Sequence, residues 1–287
     1  MKNLGYYNGT IDLIENIQVP MMDRANYFGD GCYDALYSRN YKAYCLTPHL
    51  DRLYNSAALL GIKPPMTKEE MAELINDLMK KCDTGEHFIY IQLSRGTAMR
   101  AHAHGGKMEA NLWITLTPEH VRDTYEPISC ITVPDTRFLH CNIKTLNLLP
   151  NVLAAEKAHS GGCHEAIFFR PFTEGADNGI VTECAHSNVH AIIDGVFRTH
   201  ATDNKILPGI ARMNILAMCR KLGVPYCEIP FTKEDLFKAD EVMISSSGSF
   251  LIPVNEIDGI KVGGRGGEMM KKLQDALVAD WLASTEI

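Results

Sequence analysis

The stretch Cys141-Asn142-Ile143-Lys144-Thr145-Leu146-Asn147-Leu148-Leu149-Pro150 sets a single lysine among mostly apolar neighbours. Low dielectric disfavours an ammonium, so burial draws a lysine toward its neutral amine. A neutral amine is a nucleophile and forms a Schiff base with a carbonyl. A lysine taken at random keeps its head in water and lays only its stem on the protein. Here the polar hinge Thr145 and Asn147, and then Pro150, which can open a helix at its first turn, mark a built segment around Lys144.

Glu183 lies in Val181-Thr182-Glu183-Cys184-Ala185-His186-Ser187-Asn188, near the end of an expected strand and among small residues. Such a carboxylate can contact a ring nitrogen and keep it protonated, so that the ring accepts carbanion charge. The competing reading is a turn- or helix-capping glutamate. Two backbone segments suit a phosphate. Pro208-Gly209-Ile210-Ala211 precedes a helix whose free N–H groups and dipole attract anions. Ser246-Ser247-Gly248 adds hydroxyls and an open backbone that can form an anion nest. Arg52, on the helix of His49-Leu50-Asp51-Arg52-Leu53, could reach the same phosphate or form a surface pair three or four residues away. There is no Gly-rich nucleotide loop.

Arg100-Ala101-His102 follows a strand and a glycine, and an arginine fork beside an imidazole is a good carboxylate receptor. The alternatives are a solvated basic loop or a metal site from His102 and His104. No third ligand has metal-site spacing, so no metal is expected. A triad hydrolase lacks its Gly-x-Ser-x-Gly elbow. Cys141 beside His140 does not make a nucleophile pair, because neighbours on an extended segment face opposite ways.

The elements that must carry these residues are legible from pattern. Tyr7-Asn8-Gly9-Thr10 predicts a hairpin. Cys32–Tyr37 and Ala43–Leu46 read as strands joined at Arg39-Asn40. Thr47-Pro48 then predicts a helix, with Thr47 as its cap and Pro48 at its first position. Thr67-x-x-Glu70 and Thr232-x-x-Asp235 predict capping boxes. Strands are expected at His87–Arg95, Asn111–Leu116, Ile128–Val133, Ala166–Phe169 and Glu241–Ser245, with a hairpin over Val189–Phe197. Helices are expected at about Leu149–His159, from Pro208-Gly209 to about Leu222, and at Glu268–Ala283. The irregular alternation predicts a mixed α/β (α+β) protein with partly antiparallel sheets in two domains, 1–120 and a larger 121–287.

The 287 residues suffice for two domains, and 46% hydrophobic with 22% charged residues is ordinary for a globular chain. A net charge of -7 argues against non-specific nucleic-acid or membrane binding. Nine dispersed cysteines fit a reducing compartment. No apolar run reads as a signal peptide or a bilayer span, so the expected location is cytoplasmic.

At this point the chain resembles the fold-type IV pyridoxal-phosphate enzymes, which comprise branched-chain aminotransferases, D-amino acid aminotransferases and aminodeoxychorismate lyases. The resemblance runs over nearly the whole chain. It is carried by Tyr27-Phe28-Gly29-Asp30-Gly31-Cys32-Tyr33, His49–Tyr54, Arg95-Gly96 through His102, Ile143–Asn147, Thr182-Glu183 with Ser187-Asn188, and Leu207–Arg212. It implies pyridoxal 5'-phosphate as cofactor, Lys144 as the Schiff-base and catalytic lysine, and Glu183 as partner of the pyridine nitrogen. Arg52 matches the phosphate arginine, helped by Ile210, Ala211, Ser246 and Ser247, and Leu207 matches a residue packed on the cofactor ring. Tyr33, Arg100 and His102 resemble the carboxylate trap of D-amino acid aminotransferases, with Arg100 and His102 reaching across a homodimer interface.

The resemblance thus implies transfer of an amino group from a D-amino acid such as D-alanine to a 2-oxo acid such as 2-oxoglutarate. Aminodeoxychorismate lyase and branched-chain L-aminotransferase chemistry are the alternatives within the fold. A cofactor carrier without turnover is the alternative outside enzymes, and it would need no substrate trap. Three departures stand out: Ala211 where the family usually has threonine, a long Pro171–Gly179 loop, and Cys184-Ala185-His186 in place of a serine-rich run.

Overall fold

Asn8 and Gly9 turn the chain between β1 (Leu4–Tyr7) and β2 (Thr10–Leu13) with φ of 44° and 96°. Both values suit the primed turn that Asn-Gly favours. With β3 (Gly31–Arg39), β4 (Lys42–Ala43), β5 (His87–Ser94) and β6 (Asn111–Pro118), they form an antiparallel sheet in the order β2-β1-β6-β5-β3-β4. Side chains along β3 and β5 alternate between buried and half-buried, the period of strands whose two faces differ. The buried face, with Leu36, Ile89, Ile91 and Ile114, packs against Leu50, Leu53 and Ala57 of α2 (Leu46–Leu59) and Met71, Ile75 and Leu78 of α3 (Lys68–Met79). The other face carries half-buried Tyr33, Tyr37, Phe88, Tyr90 and Trp113.

The helices are α1 (Arg24–Phe28), α2 (Leu46–Leu59) and α3 (Lys68–Met79). The Thr67–Glu70 capping box of α3 is present. The start of α2 departs from the expectation. Thr47 does not cap it; Cys45, at φ 52° and with no side-chain cap bond, occupies that position, and the helix begins at Leu46. The left-handed residue turns the chain into the helix early, and Pro48 stays within the first turn, where no intrahelical N–H bond is lost.

The computed structural model describes residues 1–287, and the chain groups into two units. One comprises Met1–Val121, Ile143–Asn147 and Trp281–Ile287; the other comprises Arg122–Asn142 and Leu148–Asp280. The short segment bearing Lys144 therefore groups with the first unit although its flanks belong to the second.

The second unit holds a nine-stranded mixed sheet. Its strands are β7 (Ile128–Pro134), β8 (Glu165–Pro171), β9 (Gly179–Cys184), β10 (Asn188–Ile193), β11 (Val196–Thr199), β12 (Tyr226–Cys227), β13 (Glu241–Ser245), β14 (Ile252–Ile257) and β15 (Ile260–Lys261). The order is β12-β11-β10-β13-β14-β7-β8-β9, with β15 on β14. The pairs β11/β12, β14/β7 and β7/β8 are parallel and the rest antiparallel. Five consecutive residues are buried in each of β8, β10 and β13, as in strands covered on both faces. Helices α4 (Leu149–Ser160), α5 (Ile210–Leu222), α6 (Lys233–Lys238, with its Thr232–Asp235 capping box) and α7 (Gly267–Ser284) complete the chain. The fold is mixed α+β, and no helix is long and apolar enough to cross a membrane.

Candidate active site

The Lys144 segment is laid along β3. Tyr33 N–H donates to Lys144 O at 2.9 Å and Leu146 N–H to Gly31 O at 3.2 Å, while Cys32 and Thr145 form an antiparallel bridge. Gly31 is required for this approach: a Cβ there would stand 2.4 Å from Leu93 O and 2.8 Å from Leu146 Cδ1. Lys144 N–H donates to Ser56 Oγ of α2, and Asn147 Nδ2 ties the far end to Gly29 O at 3.0 Å. The backbone on both sides of Lys144 is thus fixed, and its half-buried side chain reaches over Tyr33, with Nζ 4.2 Å from the ring centroid. Tyr33 in turn stacks on Tyr90, centroids 5.3 Å apart. The immediate surroundings are an aromatic face, less aliphatic than the sequence of the segment suggests.

Arg52 faces inward from α2 onto Asp34 of β3. Its Nε donates to Oδ2 at 2.9 Å and its Nη2 to Oδ1 at 2.8 Å, a bidentate fork. His49 Nδ1 lies 2.7 Å from the same Oδ1. Asp34 is fully buried, and burial alone would push its carboxyl up; the Arg52 guanidinium and His49 outweigh this and hold it well below the usual carboxylate range. Burial draws the His49 imidazole down. Asp34 and His49 orient Arg52, and the sequence reading missed both roles. Asp34 falls at an inward position of the expected Cys32–Tyr37 strand, so an acid on a core face was the available signal. The alternative of a surface pair three or four residues away does not describe Arg52, whose fork goes to Asp34 on a strand.

Glu183 ends β9 and is buried. Its Oε2 accepts from Asn188 Nδ2 at 3.0 Å and from Leu207 N–H at 2.9 Å, and its Oε1 accepts from Arg137 Nη1. Arg137 is itself held by Asp135, Nε to Oδ1 at 3.0 Å and Nη2 to Oδ2 at 2.9 Å, and Thr182 Oγ1 donates to Asp135 at 2.9 Å. Burial pushes the Glu183 carboxyl up to about 7, against the opposing pull of Arg137. A capping role is excluded, because the donors come from a side chain five residues on, a loop and an arginine rather than from a helix end. Asn188 stands in the same motif as Glu183, whereas no spacing rule links Arg137 and Asp135 to it.

Leu207 contributes backbone on both sides, its N–H to Glu183 and its O to Asn188 Nδ2 at 3.1 Å. Gly209 follows as the N-cap of α5, with no side-chain cap bond. A Cβ there would stand 2.0 Å from Asn188 Oδ1, so glycine lets Asn188 reach Glu183. Ile210 and Ala211, buried in the first turn, leave a helix N-terminus open to an anion. Ser246 and Ser247 follow β13, with Ser246 Oγ 2.8 Å from Ser249 Oγ. His186 turns to buried Glu165, its Nδ1 2.9 Å from Oε2. The Pro171–Gly179 loop joins β8 to β9 and is braced by Lys233 Nζ on Asp177 at 2.7 Å. Burial pushes the Cys141 thiol up to about 11, the wrong direction for a nucleophile.

Arg100 and His102 gather around Phe28 of α1: the Arg100 guanidinium carbon is 5.2 Å from its ring centroid and the His102 ring 5.2 Å. Both are exposed. Tyr33 instead packs under Lys144, so within one chain the three carboxylate candidates fall into two groups.

The profile of the family described as amino-transferase class IV matches residues 31–257. The chain belongs to this family. D-alanine aminotransferase of Listeria monocytogenes is 38% identical over 272 residues, spanning 93% of this chain and 92% of that protein. Further D-alanine aminotransferases match at 35% and 37% identity. The branched-chain aminotransferase of Escherichia coli superposes with a TM-score of 0.88 at 22% identity, covering 100% of this chain and 97% of its own. A second branched-chain aminotransferase, from T.th. and solved with N-(5'-phosphopyridoxyl)-L-glutamate, superposes at 0.83 with 22% identity, covering 98% and 94%. Both share the fold.

Class IV aminotransferases depend on pyridoxal phosphate, and so does this aminotransferase. Its residues fit the group. The first unit offers a fixed amine over an aromatic face and an oriented arginine. The second offers a buried carboxylate with both oxygens engaged and an uncapped helix start.

Proposed function

We propose that this enzyme transfers the amino group of a D-amino acid such as D-alanine to a 2-oxo acid such as 2-oxoglutarate, with Lys144 as its catalytic lysine. The relatives named for D-alanine, 35–38% identical over most of the chain, support the substrate class. The observation that carries the residue roles is the fixed backbone of Lys144, which leaves only its side chain to move above Tyr33.

Bound, pyridoxal phosphate supplies a carbonyl that links to an amine and a ring that takes up carbanion charge. Lys144 Nζ holds the cofactor and, when freed by substrate, moves the proton at the substrate α-carbon. Glu183 holds the proton of the ring nitrogen. Arg52, the N–H groups of Ile210 and Ala211, and Ser246 and Ser247 bind the phosphate; the helix N–H replaces what the missing threonine hydroxyl would give at Ala211. Leu207 packs on the ring. Tyr33, Arg100 and His102 bind the substrate carboxylate, Arg100 and His102 coming from the second chain of a homodimer. The domain of residues 1–120 is then the smaller one, and 121–287 the larger, cofactor-binding one. The enzyme works in the cytoplasm.

Borohydride reduction of purified enzyme should fix the cofactor to the peptide bearing Lys144, and D-alanine with 2-oxoglutarate should turn over faster than L-leucine with the same acceptor. Fixation at another lysine overturns the Lys144 role. Preference for L-leucine, or release of pyruvate from aminodeoxychorismate, overturns the D-amino acid reading.

A further inference from the structure

The segment that carries Arg100 and His102 has little structure of its own. Residues 99–107 are exposed, and they contain neither helix nor strand. A segment of that kind does not hold a guanidinium and an imidazole in a fixed relation to a carboxylate unless something else does, because each unfixed residue retains about 1–2 kcal/mol of backbone conformational entropy.

The structure assigns that task to Arg24, the first residue of α1 and only 4% exposed. Its guanidinium divides its donors between two jobs. Nη1 donates to Ala101 O at 2.6 Å and Nη2 to His102 O at 3.1 Å, so the fork grips two consecutive carbonyls of the loop. Nε donates to Asp30 Oδ2 at 2.7 Å. Asp30 is pinned from the other side by Arg95 Nε, at 3.0 and 2.9 Å, and Arg95 is fastened to Leu60 O and Gly61 O. The guanidinium carbon also lies 4.8 Å from the Phe28 ring centroid, the ring that Arg100 and His102 approach from elsewhere. Arg24 and Phe28 thus build one platform from a single helical turn.

The base of α1 is equally tied to the root of the loop. Asp23 accepts from Ser94 Oγ and Asn111 Nδ2, each at 2.8 Å, and Arg24 N–H donates to Gly96 O at 3.0 Å. Root and tip of the loop therefore hang from the same two residues, 23 and 24, and only the tip depends on a side-chain fork. Lysine could keep a charge near Asp30 but has no planar pair of donors for two carbonyls.

Arg24 is, on this reading, a positioning residue that sets the substrate-carboxylate site through the loop backbone without touching substrate. The inference rests on the proposal that Arg100 and His102 bind the carboxylate. The test uses the holoenzyme variants Arg24→Met, Arg24→Lys and Arg100→Met. Arg24→Met should raise the KM for D-alanine by roughly tenfold to a hundredfold, as expected for misplacement of a binding group by about an ångström. Turnover should change far less, and borohydride should still fix cofactor at Lys144. Amide hydrogen exchange should accelerate across 97–104 and stay unchanged in α2 and α3. Arg24→Lys should fall between wild type and Arg24→Met in both readouts, and it carries the test if Arg24→Met does not fold. Adding Arg24→Met to Arg100→Met should cost little more, because the two act on one contact.

Unchanged exchange over 97–104 in Arg24→Met overturns the tether. Unchanged KM in Arg24→Met, with KM raised in Arg100→Met, overturns the positioning role. If Arg100→Met itself leaves KM unchanged, the carboxylate-site reading fails, and the exchange measurement still decides whether Arg24 holds the loop.

Discussion

Asp34 and Glu183 are both buried carboxylates, both face an arginine, and both accept from further donors, yet their protonation is driven in opposite directions. Asp34 receives two nitrogens of Arg52 and one of His49. Glu183 receives one nitrogen of Arg137, whose Nε and Nη2 go to Asp135, Nη2 also reaching Thr182 Oγ1 and Lys205 O. A guanidinium shared between Glu183 and Asp135 neutralises each less well than the fork that Arg52 closes on Asp34 through two nitrogens. Asp34 is therefore a permanent anion that aims a cation. Burial raises the Glu183 carboxyl to about 7, and under the proposed function its further partner is a ring nitrogen that brings a proton of its own. The same residue pair, Arg with carboxylate, thus carries its acid in opposite directions in the two units.

The largest effect is expected from breaking the scaffold. Asp34→Asn leaves Arg52 buried without its anion, and removal of one partner of a buried pair costs about 3–5 kcal/mol. Chemical denaturation should show that loss, and equilibrium dialysis should show weakened cofactor binding through the misaimed Arg52. Stability within about 1 kcal/mol of wild type would mean that His49 and Arg52 find other partners.

Glu183→Gln should preserve folding and cofactor binding, since the phosphate contacts are separate from it. It should lower turnover by on the order of 10²–10³, the usual loss for one preorganised electrostatic contact at a reacting centre. Steady-state kinetics with D-alanine measures this; turnover near wild type would place the ring-nitrogen partner elsewhere.

The two carboxylates also predict opposite pH behaviour in cofactor-free enzyme. The Asp34 carboxyl is depressed when folded, so its contribution is present above the unfolded value of 3.8 and lost as pH falls below it. The Glu183 carboxyl is raised from 4.5 to about 7, so its contribution is full below 4.5 and lost as pH rises through 7. Between those values Glu183→Gln should gain on wild type with rising pH, by on the order of 1–3 kcal/mol at about 1.4 kcal/mol per unit. The Asp34→Asn deficit should stay flat over the same window. Urea melts at pH 4.5 and 7.5 distinguish the two, and parallel behaviour would erase the contrast.

What the sequence made legible divides along the same line. The hinge around Lys144, the strand that ends at Glu183 and the Gly209 helix start announce themselves because each is a local pattern. So do the Asn8-Gly9 hairpin and both capping boxes, whose bonds span three residues. The supports are not legible, because Asp34 meets Arg52 and Arg137 meets Glu183 only after sheets and helices have packed. The sequence reads Arg52 as a phosphate ligand, with a surface pair on its own helix as the alternative, and neither reading points to the strand residue Asp34 that its fork meets. Thr47 failed as a cap for a similar reason: Cys45, forced to positive φ where β4 gives way to α2, had already set the helix start.

The smallest effect tests how much of the Glu183 arrangement is carried by its outer supports. Thr182 Oγ1 donates to Asp135 Oδ2 at 2.9 Å, and Asp135 then holds Arg137 through two separate nitrogens. Thr182→Val keeps the side-chain shape and removes the hydroxyl, and with it the bond to Asp135, the longer contact with Phe168 O at 3.4 Å and the bond accepted from Arg137 Nη2 at 3.3 Å. Asp135 loses a neutral donor but keeps both guanidinium contacts, so the cost should be that of a typical buried hydrogen bond, about 1 kcal/mol. Glu183 keeps Asn188 and Leu207 N–H on Oε2, and these do not pass through Asp135. Turnover should therefore fall no more than a few-fold, well short of the Glu183→Gln loss. A fall as large as that of Glu183→Gln would mean that Glu183 is aimed mainly by the Thr182–Asp135–Arg137 chain. The contrast with Asp34, whose donors all contact it directly, would then rest on how each carboxylate is positioned as well as on how its arginine is shared.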